Sequence, residues 1–218
     1  MLNTKIEVSK RKRIEEEAEM ASNSVSNLAQ AQIKVAAISG SLRRASRNSG
    51  VIRCAIEICK ESIPGMEIDF IDIEPLPFVN VDLEKNGTYP PVVEAFRQKI
   101  LEADCILFAA PEYNYSVSAP LKNAIDWASR PPNVWADKAA AIVSAAGGSG
   151  GKRAQYHIRQ IGVFLDLHFI NKPELFIEAK PPQTFFDNDG NVIDPDIKER
   201  LKKVLLSLQA FTLRLRKK

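Results

Sequence analysis

Three apolar runs in this 218-residue chain, residues 33–38, 105–110 and 139–146, each halt at a turn of Gly, Ser or Pro and lead into a stretch with helical spacing. A short apolar run bounded by turn residues reads as a strand buried on both faces, and such strands belong to parallel sheets whose crossovers lay helices over them. The helical segments are residues 48–61, ended by Pro64-Gly65, then 92–103, 119–130, 153–165 and a closing amphipathic 197–215 with a basic tail. Two further strands are expected. Residues 66–73 alternate apolar and acidic side chains in the manner of a strand near a sheet edge, and residues 175–177 supply the last. The connection at residues 74–90 is long for a compact domain, and such loops usually serve function.

Right-handed crossovers put helices on both faces of such a sheet. The expected fold is therefore an α/β three-layer sandwich, with five parallel strands in the flavodoxin-like order 2-1-3-4-5. The length suits one domain, placed at residues 31–218, with residues 1–30 as a disordered or loosely helical extension. Lys5 to Arg13 is basic, and Glu15, Glu16, Glu17 and Glu19 follow at once. Without an apolar core, and with that acidic run, this is neither a signal peptide nor a transit peptide. Met20-Ala21-Ser22-Asn23-Ser24 reads as an ordinary start, which makes residues 1–19 an optional leader dispensable for activity. With no apolar window of ~18 residues, no membrane-spanning helix is expected, and a cytoplasmic location is.

Composition excludes more than it selects. Hydrophobic residues at 45% and charged residues at 26% are those of a globular protein. A net charge of +3, from 30 basic and 27 acidic side chains, gives no overall field that favours nucleic acid. Cys54, Cys59 and Cys105 have neither CxxC spacing nor an even count, so a disulfide framework or zinc site is not expected and a reducing compartment is. His157 and His168 lack ligand spacing and read as packing or surface residues, so no metal is expected.

In such a sheet, ligands sit beyond the carboxyl ends of the strands, where strand order reverses. The first loop there, residues 39–49, offers Ser39, Ser41, Ser46, Asn48 and Ser49 together with Arg43, Arg44 and Arg47 at a helix N-terminus. Helix amides, the macrodipole and guanidinium forks together suit a monophosphate. Simple capping by Ser46 or Asn48, with the arginines in solvent, is the competing reading, but capping needs only one such residue. Gly-x-Gly-x-x-Gly is absent, which disfavours a dinucleotide across this loop. The second loop, Pro111-Glu112-Tyr113-Asn114-Tyr115-Ser116-Val117-Ser118, sets aromatic faces beside polar groups, as a ring with a polar edge requires; alone it is no more than a surface turn. The third, Ser144-Ala145-Ala146-Gly147-Gly148-Ser149-Gly150-Gly151-Lys152-Arg153, lets backbone approach a ligand closely. It fails as a Walker motif: Ala146 stands where the first Gly belongs and Arg153 where Ser or Thr must hold Mg²⁺. A plain flexible turn is its alternative.

Three strings, Gly40-Ser41-Leu42-Arg43-x-x-Ser46-x-Asn48, then Pro111-Glu112-Tyr113-Asn114 with Leu121-Lys122-Asn123-Ala124-Ile125-Asp126-Trp127, then Gly150-Gly151-x-Arg153-x-Gln155-Tyr156, carry a family resemblance. The chain resembles the NADPH-dependent FMN reductases, and among them the plant NADPH:quinone oxidoreductases, from about Ile33 to Leu206. The resemblance implies a flavodoxin-like fold holding FMN, with the phosphate on Ser41, Arg43, Ser46 and Asn48. It implies an isoalloxazine ring against Pro111, Glu112 and Tyr113, with Asn114 nearby, and against the backbone of Ala145, Ala146 and Gly147. It also implies a homodimer or homotetramer whose flavin site is completed between subunits. Relatives often carry a hydroxyl near Ala145, so one side-chain contact is missing from this chain.

The implied activity is transfer of hydride from NADPH or NADH, through FMN, to a quinone or similar small acceptor, in a ping-pong cycle. The flavin supplies the difficult chemistry, so no acid or base is assigned, and Tyr113 and Tyr115 are candidates for positioning only. Arg43, Arg44, Arg47, Lys152 and Arg153 offer charge for a nucleotide 2′-phosphate. Two other readings stand beside the enzyme: a flavodoxin-type electron carrier, disfavoured by the mildly basic charge, and a flavin-based redox-sensing binding protein.

Overall fold

The structure, a computed structural model, describes residues 32–182 and 185–217. The expectations for residues 1–30 lie outside the described residues.

The apolar runs form the centre of the sheet: β1 (Ile33–Ser39), β3 (Cys105–Ala109) and β6 (Ala139–Ala146). β2 (Met66–Ile71) lies on the outer side of β1, with Ile33 opposite Met66. β1 pairs with β3 through Val35 and Cys105, and β3 with β6 through Cys105 and Ala139. All these pairings are parallel, in the order β2-β1-β3-β6, as expected. The fifth position departs in detail, because two short strands share it. β7 (His168–Phe169) pairs with the start of β6 and β8 (Leu175–Glu178) with its end. Residues 175–177 were expected there; a two-residue strand has no period for a sequence to display.

Strand pleating sends alternate side chains to opposite faces. Val35, Ala37, Leu107 and Val143 meet α1 (Arg47–Ser62) and α5 (Pro195–Leu215) on one face. Ile38, Ile106, Phe108 and Ile142 meet α2 (Pro91–Glu102), α3 (Ala119–Ser129) and α4 (Lys152–Leu165) on the other. Phe108 is fully buried, with its ring centroid 5.7 Å from that of Trp135 and 6.4 Å from that of Phe169. Both buried indoles have a hydrogen-bond acceptor, Trp127 Nε1 donating to Pro77 O at 2.7 Å and Trp135 Nε1 to Ile125 O at 3.0 Å. A tryptophan goes into a core at no polar penalty only on that condition.

Arg97, on α2, is buried at the end of α3, and among the described residues no ion pair holds it. Its guanidinium donates to the carbonyls of Trp127, Arg130 and Pro132, each at 2.9 Å, and lies over the Tyr89 ring at 4.4 Å. The last carbonyls of a helix lack intrahelical donors and carry its negative dipole end, so a cation there meets both needs. Arg97 thereby fixes the C-terminus of α3 and the exit from the long connection. That connection contains a short 3₁₀ turn (Val81–Leu83) and is pinned by Asn123, which donates to Pro77 O and accepts from Val79 N.

Candidate functional site

The parallel order brings the loops after β1, β3 and β6 to one edge of the sheet. In the first, Ser46 caps α1 by accepting the Ser49 N–H at 3.2 Å. The helical ladder begins with Gly50 N–H to Ser46 O, so the amides of Arg47 and Asn48 lie ahead of it, as the N–H groups of a helix N-terminus that can take an anion do. Ser46 both caps the helix and lines the cavity, so the two readings of this loop are compatible. Ser118, fully buried, ties the loop down by donating to Gly40 O at 2.6 Å.

Asn48 has a different task from the one its residue type suggests. It is buried, its Nδ2 donates to Ala145 O at 2.9 Å, and its Oδ1 accepts Ala145 N–H at 3.0 Å. The side-chain amide therefore cross-links the first and third loops, and the backbone N–H of Asn48 is the group it keeps at the helix N-terminus. Ala145 N–H and O are engaged by the same pair, Ala146 O accepts the Ala179 N–H at 2.7 Å and Gly147 O the Gly150 N–H at 3.0 Å, and Ala146 and Gly147 line the cavity with their remaining surface. At Gly147, a Cβ would have nothing within 4 Å, so the loop presents open space there.

The second loop folds as a short hairpin. β4 (Glu112–Tyr113) and β5 (Ser116–Val117) pair antiparallel around Asn114 and Tyr115, with φ of 48° and 64°. Positive φ at both central residues is the geometry of a type I′ turn. Asn adopts it readily; Tyr does so at a cost. The Arg153 guanidinium lies 3.9 Å from the centre of the Tyr115 ring, and Ser116 Oγ is 2.8 Å from His157 Nδ1, so α4 holds the turn from both ends. His157 is thus a surface residue with a fixed partner.

Glu112 turns its carboxylate into the N-terminus of α4. It accepts from Ser149 Oγ at 2.9 Å, Arg153 N at 3.0 Å, Arg153 Nη1 at 3.1 Å and Ala154 N at 3.4 Å. Its side chain is 8% exposed. Burial pushes its pKa up, and the hydrogen bonds from Ser149, from the Arg153 side chain and from the Arg153 and Ala154 amides outweigh that and hold it below the ordinary carboxylate value. Beneath the third loop, Gln155 donates to Ser144 Oγ at 2.8 Å and to Leu175 O at 2.9 Å, and Ser144 donates to Gly150 O. Gly151, at φ 86°, starts the helix where a Cβ would stand 2.6 Å from that of Ser144.

Every residue expected to hold the cofactor except Asn114 lines one cavity of about 190 Å³, and Arg47 joins them. Asn114 lines an adjoining hollow of about 550 Å³ with Tyr115, Gly148, Ser149 and Arg153, and the two share Glu112, Ala146 and Gly147. Another hollow, of about 320 Å³, lies between the amino-terminal halves of β1 and β2, and none of the three loops lines it. Of the five cations noted in the sequence, Arg47 donates to Ala179 O, Lys152 lies over Phe176 at 5.7 Å, and Arg153 is held by Glu112 and Tyr115. Arg43 and Arg44, both exposed, are the two left to meet a ligand. Among the described residues no three His, Cys, Asp or Glu side chains gather as a metal site.

An open parallel sheet in this order, with a helix N-terminus and two further loops meeting at its carboxyl edge, defines the flavodoxin-like class. Comparison with known proteins narrows it: residues 33–181 match the family described as NADPH-dependent FMN reductase, and the chain belongs to that family. It is 71% identical over 186 residues to an NADPH:quinone oxidoreductase of Arabidopsis thaliana, covering 85% of this chain and 95% of that protein. A Pseudomonas aeruginosa NAD(P)H-dependent FMN reductase is 48% identical over 186 residues, covering 84% and 97%. Among solved structures, FerB of Paracoccus denitrificans, a flavoenzyme NAD(P)H:(acceptor) oxidoreductase, superposes with a TM-score of 0.73 at 28% identity, covering 84% of this chain and 98% of that one.

Proposed function

We propose that this chain is an FMN-dependent oxidoreductase that takes hydride from NADPH or NADH and delivers two electrons to a quinone or similar small acceptor. The observation that carries the reading is one cavity to which all three loops contribute, in a member of this family. FMN, when bound, supplies the redox chemistry, accepting hydride and passing two electrons to the acceptor. The residues supply placement. Ser41, Arg43, Ser46 and the amides of Arg47 and Asn48 take the phosphate, Pro111 and Tyr113 take one side of the ring, and Ala146 and Gly147 take its polar edge. Glu112 and Asn114 shape the walls, and no side chain is needed as an acid or base.

The catalytic domain is residues 31–218, with residues 1–19 dispensable, and a chain beginning at Met20 should keep its flavin and its turnover. The protein is proposed to be a homodimer or homotetramer, a reading supported by Val163 and Phe164 on α4, which are 83% and 85% exposed. Sedimentation of a monomer would remove it. No helix among the described residues is long and apolar enough to cross a membrane, and a cytoplasmic location suits three free, buried cysteines. The test of the whole is direct. Purified protein should carry or take up FMN at micromolar levels, NADPH added without oxygen should bleach it, and a simple quinone should restore the colour. Colourless protein that refuses FMN ends the proposal.

A further inference from the structure

The first loop is braced by a turn far along the chain. After β8, residues 185–193 fold back onto the start of α1, closed by Asp187 N–H to Asn191 O at 3.0 Å and Ile193 N–H to Phe185 O at 2.9 Å. Asp187 organises the turn, its Oδ1 accepting Asn191 N–H at 2.7 Å and Asp189 N–H at 3.0 Å and its Oδ2 accepting Asn191 Nδ2 at 3.0 Å. At the tip stands Gly190, at φ 78°, where a Cβ would lie 2.9 Å from Ala45 O and Ser46 O. Gly50, in the first turn of α1, faces it, and a Cβ there would fall 1.7 Å from Gly190 O. The two backbones therefore touch with no side chain between them, which any residue larger than glycine would prevent. Arg53, one turn further along α1, secures the contact through Nε to Asn191 Oδ1 at 2.8 Å and Nη2 to Asp189 O at 3.2 Å, across 138 positions of chain.

An anion site made of loop amides binds well only if the amides already point inward, because ordering them on binding lowers affinity. The loop carrying Ser41, Ser46 and the amides of Arg47 and Asn48 is fixed on one side by Asn48 to Ala145. On the other side it is fixed by this turn. Ring contacts come from the second and third loops, which the turn does not touch in any of these bonds. We infer that the turn from Asp187 to Asn191 is a positioning element for the phosphate loop, and that Arg53, Gly190 and Asn191 set how strongly a flavin phosphate is preferred over unphosphorylated flavin. This rests on the FMN reading above.

The test is titration of the flavin-free full chain with FMN and with riboflavin, followed by quenching of flavin fluorescence. The paired variant Arg53→Met with Asn191→Ala should raise the Kd for FMN about tenfold, the scale of losing one charged hydrogen bond, and leave that for riboflavin within about twofold. Gly190→Ala should act in the same direction and further. If the paired variant yields no folded protein, Asn191→Ser alone carries the same comparison. Equal loss for both ligands would reveal general loosening of the fold and overturn the inference, as would an unchanged Kd for FMN. A wild type that binds FMN no better than riboflavin would instead sink the phosphate site itself, before any variant is made.

Discussion

Replacing Glu112 by Gln keeps the shape of the side chain and removes its charge from the N-terminus of α4. In the native arrangement Oε2 takes the amides of Arg153 and Ala154, while Oε1 takes Ser149 Oγ and Arg153 Nη1. A glutamine serves the two amides with its carbonyl and Ser149 with its NH₂, and it loses the guanidinium. Because the Arg153 side chain is 47% exposed, that pair is worth only about 1 kcal/mol. Removing a buried negative charge from a helix N-terminus costs about 1 kcal/mol more, and turning two charged hydrogen bonds into neutral ones costs about 0.5 kcal/mol each. The sum, about 3 kcal/mol, lowers the melting temperature of a domain this size by about 6–12 °C at pH 7. The pH dependence has a definite sign. The native carboxyl is held below its usual value of 4.5, so its stabilisation is complete above that pH and disappears as pH falls through the lowered native value. Urea denaturation of both proteins at pH 7, 5 and 3.5 should therefore show a full deficit at the first two and a smaller one at the last. A deficit under 1 kcal/mol at neutral pH, or one that grows on acidification, would refute the account of Glu112 as the charge that sets the third loop.

Arg97→Leu removes the donor to three carbonyls at the end of α3, of which only that of Trp127 keeps a second donor, the Arg130 N–H, and should cost about 2–3 kcal/mol by chemical denaturation; a cost under about 0.5 kcal/mol would mean water replaces the guanidinium without loss. Asn48→Ala breaks both bonds to Ala145 and should cost about 2–3 kcal/mol of stability while weakening FMN uptake, and unchanged uptake would show that the third loop holds its place alone. Burial pushes the thiols of Cys54 and Cys59 up to about 11 and that of Cys105 up to about 12, so none should react with a thiol reagent at pH 7.5 until denaturant is added, and rapid labelling of the native protein would contradict their burial.

The strands and helices were legible because their signals are local. The runs at β1, β3 and β6 are apolar on both faces and end at Gly or Pro, and the parallel order then follows from crossover handedness. The three loops were legible for the same reason, since a strand's carboxyl end is known once the strand is. The hairpin in the second loop was not, because Tyr115 at φ 64° runs against its own preference and is held there by Arg153 and His157, which lie far along the chain. Arg97 was equally hidden, for an arginine in a helix reads as solvated until the helix end it caps is in view.

A division of labour follows for the site itself. Ser41, Arg43 and Ser46 carry their chemistry in their own stretch of sequence, and a reading of residue types finds them. Asn48 does not, because its partner is 97 positions away, and neither does Arg53, whose partner is 138 away. Residue type identifies what faces the ligand, whereas only the fold identifies what holds those groups still. Substitutions in the first set should remove contacts to the phosphate itself. Those in the second should alter how firmly it is held, with the chemistry unchanged, so that flavin affinity and turnover of the fully loaded protein separate.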